Sequence, residues 1–103
     1  MLEAADQVDR YTSGLTFQSF SADSRTIDAV VHNMQIIGEA AGHVPDDVQH
    51  RYPHVPWSEM RRMRNLLVHV YFGTDVTVVW QTLTEDLPPL KSMLQAILAQ
   101  EQE

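Results

Sequence analysis

Hydrophobic positions recur at three- and four-residue steps through most of this chain, the spacing of helices that bury one face. The clearest stripe is Ile27, Val30, Val31, Met34, Ile37, Gly38 and Ala41. Asp23 and Ser24 are good N-cap residues ahead of it, so the pattern predicts a helix from there to Gly42. Gly38, Ala40, Ala41 and Gly42 are small and allow another helix close approach. A second stripe holds Trp57, Met60, Met63 or Arg64, Leu67, Val68 and Tyr71. Pro56 suits its first turn, and Phe72-Gly73-Thr74 stops it. A last stripe, Leu87, Leu90, Met93, Leu94, Ile97 and Leu98, predicts an amphipathic C-terminal helix. Pro88 and Pro89 would disrupt a helix interior but fit a first turn, so this helix is expected to start afresh with Asp86 as its cap.

The remaining segments are plainer. Residues 2–12 predict a short, weakly apolar helix with Leu2, Ala5, Val8 and Asp9 on one side, ended by Thr12-Ser13-Gly14. Leu15, Phe17 and Phe20 sit in a packed connector with room for one helical turn. Val44 to Pro56 contains three prolines and reads as a loop, with a short helix available over 46–52. Val76 to Trp80 is rich in β-branched residues, which favours a strand. Yet Val76, Val79, Trp80 and Leu83 keep helical phase, Asp75 can cap them, and no second strand candidate exists, so helix is the expectation. The chain is therefore expected to be one all-α domain over 1–103, an antiparallel bundle of four to five helices.

Composition narrows the function. The chain has 103 residues and is 44% hydrophobic, enough for one small core. A domain of this size is marginal alone, and a dimer interface would add burial. The absence of cysteine excludes disulfides and thiolate chemistry and suits a reducing cytoplasm. No apolar run approaches the ~18–20 residues needed to span a bilayer, and the first residues do not read as a secretory signal. Net charge is −7, so any contact with nucleic acid must be local rather than driven by bulk charge. Arg51, Arg61, Arg62 and Arg64 supply a local cluster; a solvated helix face is the competing reading of Arg61 and Arg62.

Candidate chemistry concentrates at 64–71, Arg-Asn-Leu-Leu-Val-His-Val-Tyr. An always-charged cation, a titratable imidazole and a phenol stand on an apolar background. Arg64 fits phosphate geometry and His69 can move a proton, a pairing suited to a phosphodiester. In an ideal helix successive residues turn by about 100°, so Asn65 and His69 share a face while Arg64 and His69 stand about 140° apart. One face cannot present all four groups. A long Arg side chain, a loosened last turn or a second subunit must close the gap, and a two-fold dimer does so simply.

On these motifs the chain resembles the HepT-like proteins of the HEPN superfamily. The resemblance is carried by Met1-Leu2-Glu3-Ala4-Ala5, Tyr11-Thr12-Ser13-Gly14-Leu15, Asp28-Ala29-Val30 and Asn33 to Ala41. It continues through Tyr52-Pro53, Val55-Pro56-Trp57, Arg64 to Gly73, Val79-Trp80 and Asp86 to Lys91. It implies a helical dimer and a toxin with metal-independent endoribonuclease activity on RNA. It also implies a cognate minimal nucleotidyltransferase antitoxin, which in some pairs attaches AMP to the tyrosine at the position of Tyr71. Arg64 and His69 would be catalytic, with Asn65, Tyr71 and Glu39 supporting. The chain departs from the family pattern at Val70, where relatives often carry Gly, and it begins almost inside its first helix. A noncatalytic helical dimer that docks a nucleotidyltransferase or nucleotide is the alternative.

Other residues have plainer readings. Pro53 separates His50 from His54 and disfavours a metal pair, and no metal or cofactor is expected. His32 and His43 read as surface histidines, and Trp57 and Trp80 as core. The glycines at 14, 38, 42 and 73 are scattered and form no phosphate loop.

Overall fold

A computed structural model describes residues 1–62 and 76–101. In order these are α1 (Leu2–Thr12), α2 (Phe17–Ser21), α3 (Ser24–Gly42) and α4 (Asp46–Arg51). Residues 57–62 are helical (α5). After residue 75, α6 (Val76–Gln81) passes through a wide π turn, Thr82–Asp86, into α7 (Leu87–Glu101). No strand occurs among the described residues, and the all-α bundle expected from the pattern is what forms.

Helix α3 is the centre of the packing. Asp23 caps it: its carboxylate accepts from the Thr26 backbone N–H at 3.2 Å and from the Thr26 hydroxyl at 2.7 Å. Its predicted stripe is buried at Val30, Val31, Met34, Ile37, Gly38 and Ala41. Asn33, 9% exposed, joins this face because its Nδ2 donates to the Ala29 carbonyl at 2.8 Å, which satisfies a polar group near the core. Helix α1 packs along α3 through Ala4, Ala5 and Val8. Asp9, expected on the inner side, is exposed and pairs instead with Lys91 of α7 at 2.7 Å. The same ammonium reaches Asp6 at 2.6 Å, so α7 is tied to α1 by charge as well as by packing.

The connector after α1 is more ordered than its sequence suggests. Gly14 takes φ +79°, a left-handed conformation that side chains resist, and turns the chain. Thr16 and Ser19 then form a reciprocal capping box that starts α2. This five-residue helix delivers Phe20 into the core with no exposed surface. The Phe20 ring lies 5.1 Å from Trp80, and Phe17 lies 6.2 Å from the same indole. These contacts explain why 76–81 is helical despite its β-branched residues. Val79 and Leu83 are buried and Trp80 packs on Phe20, so one helical face pays tertiary packing what propensity withholds.

One boundary differs from the expectation. Asp86 does not cap a new helix; the backbone stays helical through 81–87. The Leu87 N–H donates to the Thr82 carbonyl, five residues back. Pro88 and Pro89 have no N–H to give the carbonyls of residues 84 and 85, so an α register cannot continue unbroken there. Widening by one residue lets the chain pass the prolines without stopping. Leu87, Leu90 and Leu94 then resume the buried stripe.

Candidate functional site

Arg64, Asn65, His69 and Tyr71 lie outside the described residues, as do Asp75 and the predicted stop at 72–74. Glu39 is exposed on α3. What can be built from the residues upward is the approach to the cassette, through α4 and α5.

Trp57 anchors that approach. It is 7% exposed, and its indole Nε1 donates to the Tyr52 carbonyl at 3.0 Å. The Tyr52 hydroxyl donates to Glu101 at 2.8 Å, and Arg51 pairs with the same carboxylate at 3.2 Å. The hydrogen bond to Glu101 holds the Tyr52 phenol above its ordinary pKa, because the carboxylate accepts from the neutral form. The last turn of α7 thus braces the start of α5. Val55 and Met60 complete the anchor as buried residues.

Beyond Trp57 the helix turns polar. The Arg61 guanidinium donates to Gln49 Oε1 at 3.0 Å, and Gln49 Nε2 in turn donates to the Val44 carbonyl at 2.8 Å. The Arg61 stem crosses Gly42: a Cβ there would sit 3.8 Å from Arg61 Cδ. That is ordinary van der Waals contact, so the Arg61 stem packs over the end of α3 without requiring a glycine there. Arg62, one residue on, is exposed and makes no hydrogen bond or ion pair among the described residues.

Two hollows flank Arg62. One, of about 430 Å³, is polar and bears Gln49, His50, Ser58 and Arg61. The other, of about 500 Å³, is mainly apolar, floored by Met60, Leu87, Leu90 and Met93 and reaching Thr82 and Asp86 of the π turn. Pro56, Glu59 and Arg62 line both and form the ridge between them. Reading the sequence singled out Arg61 and Arg62 only as members of a cluster. The apolar hollow depends on α5 meeting the π turn, which no local pattern announces.

The other candidates fall where their sequence readings put them. His32, His43, His50 and His54 are exposed. His54 meets Tyr52 edge-on at 6.4 Å. Among the described residues no group of three His, Asp or Glu side chains could hold a metal ion, and no helix is long and apolar enough to cross a membrane. Trp80 is partly buried against the core.

Comparison with known proteins defines the class. A family model described as "Ribonuclease HepT-like" matches residues 1–97. The "Probable ribonuclease HepT" of Thermococcus cleftensis is 41% identical over 95 residues, covering 92% of this chain and 86% of that protein. The "Putative RNase MJ1380" of Methanocaldococcus jannaschii is 34% identical over 97 residues, covering 94% and 89%. The "Putative RNase TTE0752" of Caldanaerobacter subterraneus subsp. tengcongensis is 31% identical over 101 residues, covering 98% and 90%. No solved structure matches the chain. The fold and these matches place the protein among the all-helical HEPN proteins. Within them, the chain belongs to the ribonuclease HepT-like family.

Proposed function

We propose that this chain is a metal-independent endoribonuclease, the toxin of a toxin–antitoxin pair, with Arg64 and His69 acting at a cleft shared by two copies. The observation that carries the reading is the family match over residues 1–97, which spans the whole Arg64–Tyr71 cassette. The names of the relatives, one "Probable ribonuclease" and two "Putative RNase", support the same reaction class.

The reaction is attack of a ribose 2′-oxygen on the adjacent phosphorus with departure of the 5′-oxygen of the next nucleotide. The 2′-hydroxyl proton goes to an imidazole, and a proton is delivered to the leaving oxygen. Two His69 side chains facing each other across a two-fold axis can divide those roles. Arg64 stabilises the charge that builds on the phosphoryl oxygens. Asn65, on the His69 face, orients the imidazole or the phosphate, Tyr71 contacts phosphate or base, and Glu39 supports from α3.

Silencing is assigned to a nucleotidyltransferase antitoxin. The Tyr71 phenol oxygen attacks the α-phosphorus of ATP, pyrophosphate leaves, and the phenol proton passes to solvent. The attached AMP puts a bulky anion two residues from His69, where it excludes RNA by size and charge. Mass spectrometry after co-expression with the antitoxin tests this step: an AMP adduct on the Tyr71 peptide supports it. Full neutralisation of an unmodified toxin removes it. Light scattering at micromolar concentration tests the shared cleft; a monomer both with and without RNA contradicts it.

A further inference from the structure

We infer that the two hollows beside Arg62 form a subsite for one flanking nucleotide of single-stranded RNA, with its phosphate at Arg61 and Arg62 and its base in the apolar hollow. The inference deepens the proposed ribonuclease reading and rests on it.

The first argument is charge. The chain carries −7 overall, so RNA is repelled at long range and must be gripped locally. Among the described residues, Lys91 is consumed by Asp6 and Asp9, and Arg51 by Glu101. Arg61 binds only a neutral amide, Gln49, which orders its guanidinium without cancelling its charge. Arg62, like Arg10 and Arg25, makes no ion pair among the described residues, and unlike them it lines both hollows. It precedes Arg64 by two residues, so the hollows lie next to the cassette along the chain.

The second argument is shape and chemistry. A hollow of about 500 Å³ falls in the range of small-ligand sites, roughly 300–1,000 Å³. Its Met60 and Met93 floor suits a flat aromatic ring, because thioethers contact π-systems favourably. Glu59 and Asp86 stand at its edge. Arg61 and Arg62 share the polar hollow with Asp46 and Glu59, whereas Asp86 lines only the apolar hollow, with one arginine, and repels phosphate there; this sets the polarity of the nucleotide, phosphate at the two arginines and base toward Asp86. A carboxylate accepts hydrogen bonds, so it favours bases that carry an exocyclic amino group. Cytosine offers N4–H₂, adenine N6–H₂ and guanine N2–H₂, whereas uracil carries no amino group and flanks its one N3–H with two carbonyls.

The test uses full-length chains and short single-stranded oligoribonucleotides that differ at one flanking base. Binding is read by anisotropy at several salt concentrations in a His69→Ala background, and cleavage in the otherwise native chain. Arg62→Gln should raise KM several-fold with kcat unchanged and flatten the slope of log Kd against log salt by about 0.7, the contribution of one phosphate on a single strand. Arg25→Gln, on a residue away from both hollows, should change neither. Met93→Ala and Met93→Trp should both erase the preference for cytidine, adenosine or guanosine over uridine, expected on the order of tenfold. An Arg62→Gln chain with the salt slope and KM of Arg25→Gln overturns the inference. So do Met93 variants that change the oligomeric state but keep base preference, since the hollow would then seat a second copy. Should the native chain bind RNA through Arg62 yet cleave none, the ribonuclease reading fails while the binding site stands.

Discussion

The α1–α3 side and the α4–α5 side of this protein are made of opposite materials. Val8, Val30, Met34 and Ile37 close the first with no exposed surface. On the second, Trp57 is the anchor and everything after it in α5 except Met60 faces outward. Among the described residues the buried polar side chain of the first region is Asn33, and it is satisfied within its own helix. The second holds its side chains through a relay of hydrogen bonds, from Glu101 to Tyr52 to Trp57 and from Arg61 to Gln49 to Val44. On the proposed reading, stability and RNA contact are stored in separate places, so substitutions in one should leave the other readout largely intact.

The largest expected effect breaks function alone. His69→Ala should lower cleavage by ~10²–10⁴-fold, the usual worth of general acid–base action. Arg64→Ala should be comparably severe, and both should melt like the native chain in a circular-dichroism scan. Next comes the converse. Phe20→Ala empties a fully buried ring site against Trp80 and should cost about 3–5 kcal/mol in urea unfolding. Cleavage per folded molecule should hold under conditions where the variant stays folded. A mutual effect, in which His69→Ala unfolds the chain or Phe20→Ala abolishes cleavage while folded, would dissolve the contrast.

Trp57→Phe sharpens the comparison because Trp57 is the buried anchor of the polar side. It keeps most of the buried ring but removes the donor to the Tyr52 carbonyl, and should cost about 1 kcal/mol by urea titration. The smallest effects are electrostatic. Hydrogen bonds that its ammonium donates to Asp6 and then Asp9 hold Lys91 above its ordinary pKa of 10.5. Its contribution is complete below that value and is lost as pH rises through the raised one. Thermal melts of Lys91→Met should therefore lose part of the alkaline decline. Asp23 behaves oppositely. The Thr26 hydroxyl and then its backbone N–H hold the carboxyl below 3.8, so its stabilisation is present above that value and fades as pH falls through the lowered one. Asp23→Ala should lose that share of the acid decline.

Most of the fold is legible in the sequence where local signals agree. The stripe, the Asp23 cap and Gly42 mark α3 at both ends. Helix α2 is seen only as a connector, because five residues carry no periodicity and depend on the Thr16–Ser19 capping box. Asp86 looks like a cap ahead of Pro88-Pro89, yet the π turn carries the helix past it; a five-back hydrogen bond has no sequence signature of its own. Reading the candidate site is uneven for a related reason. The Arg64–Tyr71 cassette is a contiguous motif and can be recognised as such. The ridge of Pro56, Glu59 and Arg62 matters only once α5 and the π turn meet, which is a tertiary event.

The most direct measurement of the central claim is the chemistry of the cut ends, on RNA cleaved by the purified native chain in EDTA. Attack by the 2′-oxygen predicts a 2′,3′-cyclic phosphate on one fragment and a 5′-hydroxyl on the other. It also predicts that a single 2′-deoxy substitution at the cut site stops the reaction and that His69→Ala yields no fragments. A 5′-phosphate end, cleavage that survives the deoxy substitution, or activity lost in EDTA and restored by one divalent ion would contradict it.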